Sequence, residues 1–125
     1  MLTKKGSMNV LIIEDDKVLS LLLSKMIENL NFNVIGTFTK GSEAILKTRE
    51  LDPDLVLMDI MLEDDIDGIE ATIEFQKTNS TSKVIYITGN SDSYNRERAN
   101  ATNFIDYLVK PISLEDLKHS INKID

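Results

Sequence analysis

The sequence predicts an α/β domain in which helices cover an open parallel sheet. Short apolar runs rich in β-branched residues alternate with longer segments whose apolar residues recur every three or four positions. The most apolar run, Leu55–Met58, has no polar alternation, which is typical of a central strand buried on both faces. Five such strand and helix pairs follow one another along 125 residues, so we expect a single domain.

The first two predicted strand and helix pairs lie between Val10 and Glu50. Val10–Ile13 is the first predicted strand, and Asp16 is placed to cap the helix that follows. This helix is expected to face the core with residues at helical spacing: Leu19, Leu22, Met26 and Leu30. The second strand is predicted at Asn33–Phe38, and a helix at Ser42–Glu50 ends before Asp52-Pro53. Its expected core residues are Ala44, Ile45 and Leu51.

The third and fourth strands each end at a polar residue. Leu55–Met58 stops at Asp59, and after an acidic loop Gly68 opens the third helix. Apolar residues of that helix include Ile69, Ala71, Ile73 and Phe75. Val84–Ile87 forms the fourth strand and stops at Thr88.

The last part of the chain contains the weakest predicted helix. The fourth helix, Ser93–Ala101, is mostly polar, so we expect it to be loosely packed and mobile. Asp106–Val109 is a short fifth strand that ends at Lys110-Pro111. Ser113 and Asp116 then form a capping box for a final helix, whose apolar residues are Leu117, Ile121 and Ile124.

Composition excludes several classes of function. The 21 acidic residues outnumber the 14 Lys and Arg residues, so binding of nucleic acid or an anionic membrane through bulk charge is disfavoured. Without cysteine there are no disulfides or thiolate zinc sites, and His119, the only histidine, is expected to be solvated. No apolar run has the length of a signal peptide or a membrane span, so we expect a cytoplasmic protein. Residues 1–7 form an N-terminal extension that is either natural or derived from a tag.

Polar residues stand at the carboxyl ends of four predicted strands. Glu14 and Asp15 follow the first strand, Asp59 the third, Thr88 the fourth and Lys110 the fifth. Open α/β sheets bind their ligands beyond this edge, where helix N-termini converge, so we expect these side chains to share one crevice. Asp15 and Asp59 come after apolar strands, and we expect both carboxylates to be partly buried and to need a partner.

The distribution of acids predicts a cation site. Eight of the 21 acids lie in the two segments 14–16 and 59–67. Clustered carboxylates raise one another's pKa unless a positive charge intervenes, and an all-oxygen site with few protein ligands suits Mg²⁺ better than zinc or copper. A lysine and a threonine on the same rim add a charge and a hydroxyl donor for phosphoryl oxygens. Phosphoryl chemistry with Mg²⁺ is therefore the predicted class.

Four motifs at these strand ends resemble the receiver domain of two-component response regulators. They are Ile12–Asp16 (IIEDD), Leu57–Asp59 (LMD), Ile87–Gly89 (ITG) and Tyr107–Pro111 (YLVKP), in the order and spacing of that family. The resemblance covers about residues 8–123. It implies a flavodoxin-like, doubly wound, five-stranded parallel sheet of order 2-1-3-4-5 with five helices. Residues 8–125 would form one receiver domain.

The resemblance also implies how the acids act. Asp59 would accept a phosphoryl group from the phosphohistidine of a histidine kinase or a phosphotransfer protein. Asp15, Asp59 and the backbone carbonyl of Met61 would bind Mg²⁺, with Glu14 acting through a bound water. Such a domain is a signalling switch and not an enzyme that turns over other substrates.

The remaining implied roles concern the signal. Thr88 and Lys110 would hold phosphoryl oxygens, and their movement would draw Tyr107 inward. The surface of the fourth helix, fifth strand and fifth helix would then change, and it would bind a downstream effector protein, an output domain or a second copy of the chain as a homodimer. The Lys110-Pro111 peptide bond would be cis.

The loop after Asp59 departs from the family's commonest form. It is one residue longer and lacks the proline often found three residues after the acceptor. Its acids at 63–65 would either orient groups around the metal or form a solvated run of charge, and we favour the solvated run. Met61 and Asn90 occupy two positions that, in this family, influence loss of the phosphoryl group to water. Met61 can only shield the group, which predicts slow loss.

Three other functions match parts of the pattern. A Mg²⁺-dependent phosphohydrolase would need a general acid and an enclosing cap, and neither is evident. A flavin or nucleotide binder would need a glycine-rich or hydroxyl-rich loop after the first strand, where Glu14, Asp15 and Asp16 repel phosphate. A receiver-like protein that takes no phosphate is disfavoured because all five key positions are retained. The chain ends directly after the last predicted helix, either as a stand-alone regulator or as a piece of a larger protein.

Overall fold

The computed structural model describes residues 8–78, 80–89 and 92–124, so the predicted extension 1–7 and Asn90 lie outside the described residues. The strands are β1 (Asn9–Ile13), β2 (Asn33–Phe38), β3 (Leu55–Met58), β4 (Lys83–Thr88) and β5 (Asp106–Val109). The helices are α1 (Lys17–Asn29), α2 (Gly41–Leu51), α3 (Gly68–Gln76), α4 (Ser93–Ala99) and α5 (Leu114–Ile121). None of these helices is long and apolar enough to cross a membrane.

All five strands are parallel and lie in the order β2-β1-β3-β4-β5, which confirms the predicted topology. The backbone ladder continues just past the strand ends. The N–H of Asp59 donates to the carbonyl of Ile13 (2.9 Å), and the N–H of Lys110 donates to the carbonyl of Thr88 (2.7 Å). These bonds hold the residues after the strands in fixed positions at the carboxyl edge of the sheet.

Side chains that alternate along the strands form two apolar layers, one on each face of the sheet. One layer packs under α2, α3 and α4, and its members include Leu11, Val56, Met58, Tyr86 and Phe75. The other packs under α1 and α5, and its members include Ile12, Leu57, Ile85, Leu23 and Leu117. Helices therefore cover both faces of the sheet, as the predicted doubly wound architecture requires.

Two residues predicted to face the core are exposed instead. Leu22 of α1 is 48% exposed, whereas Leu23 and Ile27 are buried. Three consecutive leucines satisfy helical spacing in more than one way, so spacing alone does not decide which one meets the sheet. Leu51 is 42% exposed at the end of α2, where Asp52 takes a left-handed φ of 46° and turns the chain.

The predicted helix caps are present. The side chain of Asp16 accepts from the N–H groups of Val18 (3.0 Å) and Leu19 (3.1 Å). Ser113 and Asp116 form the capping box of α5. Each cap satisfies N–H groups that have no partner within the first turn of the helix.

The fourth helix is shorter than predicted, because α4 ends at Ala99 and not at Ala101. The hydroxyl of Thr102 donates to the carbonyl of Ala99 (2.6 Å) and pairs with the hydroxyl of Tyr86 (2.9 Å). These local bonds compete with continuation of the helix. Ala99 is the one buried residue of α4, in agreement with the predicted loose packing.

Candidate functional site

An open cleft of about 510 Å³ lies at the carboxyl edge of the sheet. Eight residues line it: Glu14, Asp15, Asp16, Asp59, Met61, Thr88, Gly89 and Lys110. The structure therefore brings together all the polar side chains that the strand ends were expected to contribute. Tyr107 is not among the lining residues, and His119 is exposed on α5.

Asp59 follows the central strand β3 and is only 4% exposed. Its Oδ1 accepts from the N–H of Ile60 (2.8 Å), and its Oδ2 accepts from Nζ of Lys110 (3.1 Å). One neutral and one charged donor thus orient the carboxylate.

Glu14 is a second buried acid in the cleft, with 1% of its surface exposed. Its Oε2 accepts from the N–H of Asp16 (3.1 Å). Its Oε1 lies 3.0 Å from Nζ of Lys110, within the range of an ion pair. A buried carboxylate is costly in its charged form, so a second cation in the cleft would stabilise ionised Glu14 further.

Two buried carboxylates face one ammonium group in the cleft. Burial, and then the proximity of Asp59, raises the pKa of Glu14 to about 8. Burial also raises the pKa of Asp59, although its contact with Glu14 and the charge of Lys110 oppose the shift. Burial alone would lower the pKa of Lys110, but the two carboxylates outweigh it and raise that pKa. The cleft therefore favours a proton or a further cation in addition to Lys110.

Glu14, Asp15 and Asp59 form a group of oxygen donors that fits a divalent cation. Each offers a carboxylate oxygen, and these oxygens lie within 4.8 Å of one another. Hard oxygen donors in small number suit Mg²⁺, which keeps several waters. Such an ion would stabilise the ionised form of Glu14, which burial disfavours. Met61 lies on the rim of the same cleft and is 66% exposed.

The expected burial is right for Asp59 and wrong for Asp15. Asp15 is exposed, whereas Glu14, one residue earlier, is buried. Glu14 still belongs to the ladder, because its N–H donates to the carbonyl of Phe38 (2.9 Å). Its side chain therefore takes the same face as Ile12, two residues earlier, which is buried. Ile13, on the other face, is buried as well, so alternation along β1 does not distinguish Glu14 from Asp15. Glu14 is inside because it continues the ladder, and no signal in the sequence marks where the ladder ends.

The acids of the loop after Asp59 do not form a purely solvated run. Asp64 accepts from the N–H of Gly41 (2.9 Å) and from both the N–H (3.1 Å) and the hydroxyl (2.7 Å) of Ser42. Burial alone would raise the pKa of Asp64, but these bonds outweigh it and lower the pKa. Asp64 thus caps α2, whose N-cap residue Lys40 has no side-chain cap of its own. Glu63 accepts from the hydroxyl of Thr39 (2.8 Å).

Thr88 and Tyr107 lie on adjacent strands and are both buried, with 1% and 6% of their surfaces exposed. The ring of Tyr107 lies 6.0 Å from that of Tyr86, measured between centroids. Burial, and then the charge of Asp92, raises the pKa of Tyr107. Tyr107 therefore lies inside the protein in this conformation. The Lys110-Pro111 bond is cis, as predicted.

The contacts of two arginines on α4 were not predicted from the sequence. Nη1 of Arg98 lies 2.8 Å from Oδ2 of Asp67, and this carboxylate raises the pKa of Arg98 above its ordinary value. The guanidinium of Arg96 lies 4.5 Å from the centroid of the Tyr107 ring. Charged residues on a polar helix carry no periodic signal that would identify their partners, so the sequence alone could not have revealed these pairs.

The sequence is similar to those of curated regulators. It is 31% identical over 125 residues to a probable C4-dicarboxylate response regulator, DctR, of Halalkalibacterium halodurans, covering 99% of this chain and 54% of that protein. It is 31% identical over 118 residues to the response regulator protein VraR of Staphylococcus aureus, covering 94% of this chain and 56% of that protein. The chain spans about half the length of the curated relatives it matches.

Two solved structures of receiver domains share the fold. The signal receiver domain of a modulated diguanylate cyclase from Desulfovibrio desulfuricans G20 matches with a TM-score of 0.83 and 34% identity, over 92% of this chain and 90% of that one. The receiver domain of a sensor histidine kinase from Pseudomonas aeruginosa PAO1, solved with a magnesium ion coordinated in its active site cleft, matches with a TM-score of 0.83 and 25% identity, over 94% and 96%. The family model for the response regulator receiver domain matches residues 10–122. This match, on a chain with the same parallel sheet and an acidic cleft at its carboxyl edge, shows that the protein belongs to the response regulator receiver domain family.

Proposed function

We propose that this receiver domain accepts a phosphoryl group on Asp59 from the phosphohistidine of a histidine kinase or a phosphotransfer protein, in a Mg²⁺-dependent reaction. The observation that carries the proposal is the position of Asp59, which is buried at the end of the central strand and lines an open cleft. Both of its oxygens are oriented, one by Ile60 and the other by Lys110. A carboxylate held in this way is a suitable nucleophile.

The proposed transfer forms one bond and breaks one. An oxygen of Asp59 attacks the phosphorus, the P–N bond of the donor breaks, and its electron pair remains on the imidazole nitrogen. Asp59 must be ionised to attack, and the nearby charge of Lys110 favours that form against the effect of burial. Lys110 and the hydroxyl of Thr88, both lining the cleft, are the donors proposed for the phosphoryl oxygens.

We propose that Asp15, Asp59 and the backbone carbonyl of Met61 hold Mg²⁺, with Glu14 acting through a bound water. When bound, the ion would neutralise charge on the phosphoryl oxygens. The proximity of the carboxylate oxygens and the burial of Glu14 support this assignment. The magnesium ion in the cleft of the Pseudomonas aeruginosa receiver domain supports it as well.

Phosphorylation is proposed to act as a switch and not as the start of turnover on other substrates. Thr88 would move toward the phosphoryl oxygens, and Tyr107 would adjust its packing in response. Tyr107 pairs with Tyr86 on the neighbouring strand, two residues before Thr88, so the two groups are close enough to be coupled. The surface of α4, β5 and α5 would then change its affinity for a downstream effector protein, an output domain or a second copy of the chain.

Intact mass spectrometry tests the acceptor and the metal together. After incubation with Mg²⁺ and a small phosphodonor such as acetyl phosphate, the wild type should gain the mass of one phosphoryl group, and Asp59→Asn should not. Asp65→Asn, in the exposed part of the same loop, is the control and should react like the wild type. Equal reaction of Asp59→Asn would refute the acceptor, and undiminished reaction in the presence of a chelator would refute the metal dependence.

A further inference from the structure

The fourth helix makes few apolar contacts with the rest of the protein. Ala99 is its one buried residue, and its aromatic residue Tyr94 is 70% exposed. Burial of apolar surface therefore contributes little to the position of α4. Contacts of its two arginines connect it to other elements.

Arg98 forms an ion pair with Asp67 at the start of α3, with Nη1 2.8 Å from Oδ2. The two side chains are only 26% and 24% exposed. Nη1 of Arg98 also donates to Oδ1 of Asn95 (2.9 Å), which fixes the guanidinium on its own helix. The other oxygen of Asp67 accepts from the N–H of Glu70 (2.9 Å) as the cap of α3. One carboxylate thus caps α3 and contacts α4.

The backbone next to Asp67 touches the backbone of Asp59. The N–H of Gly68 donates to the carbonyl of Ile60 (2.8 Å). A Cβ atom at Gly68 would collide with the carbonyl oxygen of Asp59, so the two segments are in direct contact. Because packed segments transmit displacement, a shift of the Asp59 backbone would move Asp67.

The second arginine extends the connection to the buried tyrosine of β5. The guanidinium of Arg96 lies 4.5 Å from the centroid of the Tyr107 ring, which is the geometry of a cation–π contact. Through Arg98 and Arg96, α4 connects the segment beside Asp59 with Tyr107. This connection does not pass through Thr88.

We propose that the Asp67–Arg98 ion pair, called here the α4 latch, holds α4 against the loop after Asp59 and transmits changes at Asp59 to α4 and Tyr107. That the ion pair holds α4 does not depend on the proposed function. That it transmits changes at Asp59 rests on Asp59 being the phosphoacceptor. A change at Asp59 reaches α4 only through contacts that differ between the two states, and the latch is the contact assigned this role.

A double-mutant cycle tests the holding of α4 in the protein without phosphodonor. Arg98→Gln removes the charge but keeps a long polar side chain, and Asp67→Asn keeps a residue that caps helices well. Each variant should speed amide hydrogen exchange in α4 by about two- to fivefold, the range expected for one partly exposed ion pair. The double variant should exchange no faster than either single one. Arg49→Gln, which removes an exposed arginine from α2, is the control and should leave α4 unchanged.

Additive acceleration in the double variant, or unchanged exchange of α4 in both single variants, would show that the pair does not hold the helix. Thermal unfolding and the exchange rates of the central strands identify any general loss of stability, which would speed exchange in all elements together.

Beryllium fluoride with Mg²⁺, used as a phosphoryl mimic, tests the transmission. The amide shifts of Thr88 and Lys110 report occupancy of Asp59 in each variant. At equal occupancy, the response of α4 and Tyr107 in hydrogen exchange should be partly lost in Arg98→Gln, and an undiminished response would refute transmission through the latch. If the mimic does not bind the wild type, the phosphoacceptor proposal and the transmission both fail, whereas the double-mutant cycle still decides whether the pair holds α4.

Discussion

Nζ of Lys110 lies 3.0 Å from Oε1 of Glu14 and 3.1 Å from Oδ2 of Asp59, so two buried carboxylates share one ammonium group. Two buried carboxylates beside one ammonium group are stabilised further by a proton or by a second cation. One positive charge does not balance two negative charges in a poorly solvated site. The raised pKa of Glu14 is the sign of this imbalance. Lys110 therefore contributes to the stability of the cleft as well as to its proposed chemistry.

Replacing Lys110 with alanine should leave phosphorylation of Asp59 in place but weaken the response of α4. The metal would still neutralise the transferred group, whereas the contact between the cleft and the end of β5 would be lost. The free energy of unfolding should fall by about 1–3 kcal/mol, less than for an unpaired buried charge, because Glu14 can take up a proton in place of the missing ammonium group. Intact mass, hydrogen exchange of α4 and urea unfolding measure the three effects. Lys118→Ala, at an exposed position of α5, is the control, and loss of phosphorylation with fold and Mg²⁺ binding intact would contradict the prediction.

Magnesium should bind in the cleft with weak affinity, because few protein ligands leave much of its coordination to water. Titration with Mg²⁺ should first perturb the amide shifts of Glu14, Asp15, Asp59 and Met61. In Asp59→Asn the same shifts should need more Mg²⁺, because one carboxylate ligand is lost. Shifts confined to residues 63–67 in the wild type would place the ion on the surface loop instead.

Removal of the Asp64 carboxylate should destabilise the protein through α2. Asp64→Ala deletes the acceptor of three hydrogen bonds from Gly41 and Ser42, and loss of a helix cap costs about 1 kcal/mol. Asp64→Asn retains one acceptor oxygen and should lose less. Chemical unfolding measures both variants, with Asp65→Ala, at the exposed neighbouring acid, as the control. If Asp64→Ala and Asp65→Ala had equal stability, the cap would contribute nothing.

The parts of the molecule that were predictable from the sequence are those with a local pattern. Apolar runs that end in polar residues locate the strands and the cleft, and the parallel topology follows from the alternation of strands with helices. Contacts between distant loops have no such pattern. Asp64 caps a helix 23 residues earlier in the chain, and Arg98 reaches Asp67 across two elements. Their partners are determined by how the loops approach one another in space, and the one-residue-longer loop after Asp59 gave no indication of either contact.

Protonation of Asp106 should lower the stability of the protein in acid. Its carboxylate accepts from the hydroxyl of Ser120 (2.6 Å), Nζ of Lys123 (2.8 Å) and the N–H of Tyr107 (2.9 Å). Burial alone would raise the pKa of Asp106, but these bonds outweigh it and lower the pKa below its ordinary 3.8. The folded state therefore binds the proton less tightly than the unfolded state. The resulting stability is complete above the unfolded pKa and is lost as the pH falls through the folded pKa.

Asp106→Asn should lower the free energy of unfolding at neutral pH by about 1 kcal/mol, because the charged acceptor is lost. The difference from the wild type should shrink below about pH 4, where the wild type also becomes protonated. Urea unfolding at several pH values checks this, with Asp65→Asn as the control. A difference that stays constant down to low pH would show that protonation of Asp106 does not carry the effect.

The two glycines nearest Asp59 and Thr88 should respond in opposite ways to an added methyl group. A Cβ atom at Gly68 would collide with the carbonyl oxygen of Asp59, whereas one at Gly89 would have no described residue within 4 Å apart from its chain neighbours. Neither glycine has a positive φ, so the comparison isolates space from backbone strain. Gly68→Ala should cost about 1–3 kcal/mol, as overpacking does, and should slow phosphorylation because the acceptor backbone must shift.

Gly89→Ala should change the free energy of unfolding by less than about 0.5 kcal/mol, which is usual for surface substitutions. Urea unfolding and the rate of phosphorylation by acetyl phosphate measure both variants side by side. If Gly68→Ala were less stable but still phosphorylated at the wild-type rate, the close contact would support the fold without positioning Asp59. A slow rate in Gly89→Ala would instead show that the backbone after Thr88 must move during the transfer, because the added methyl group meets none of the described residues beyond its chain neighbours.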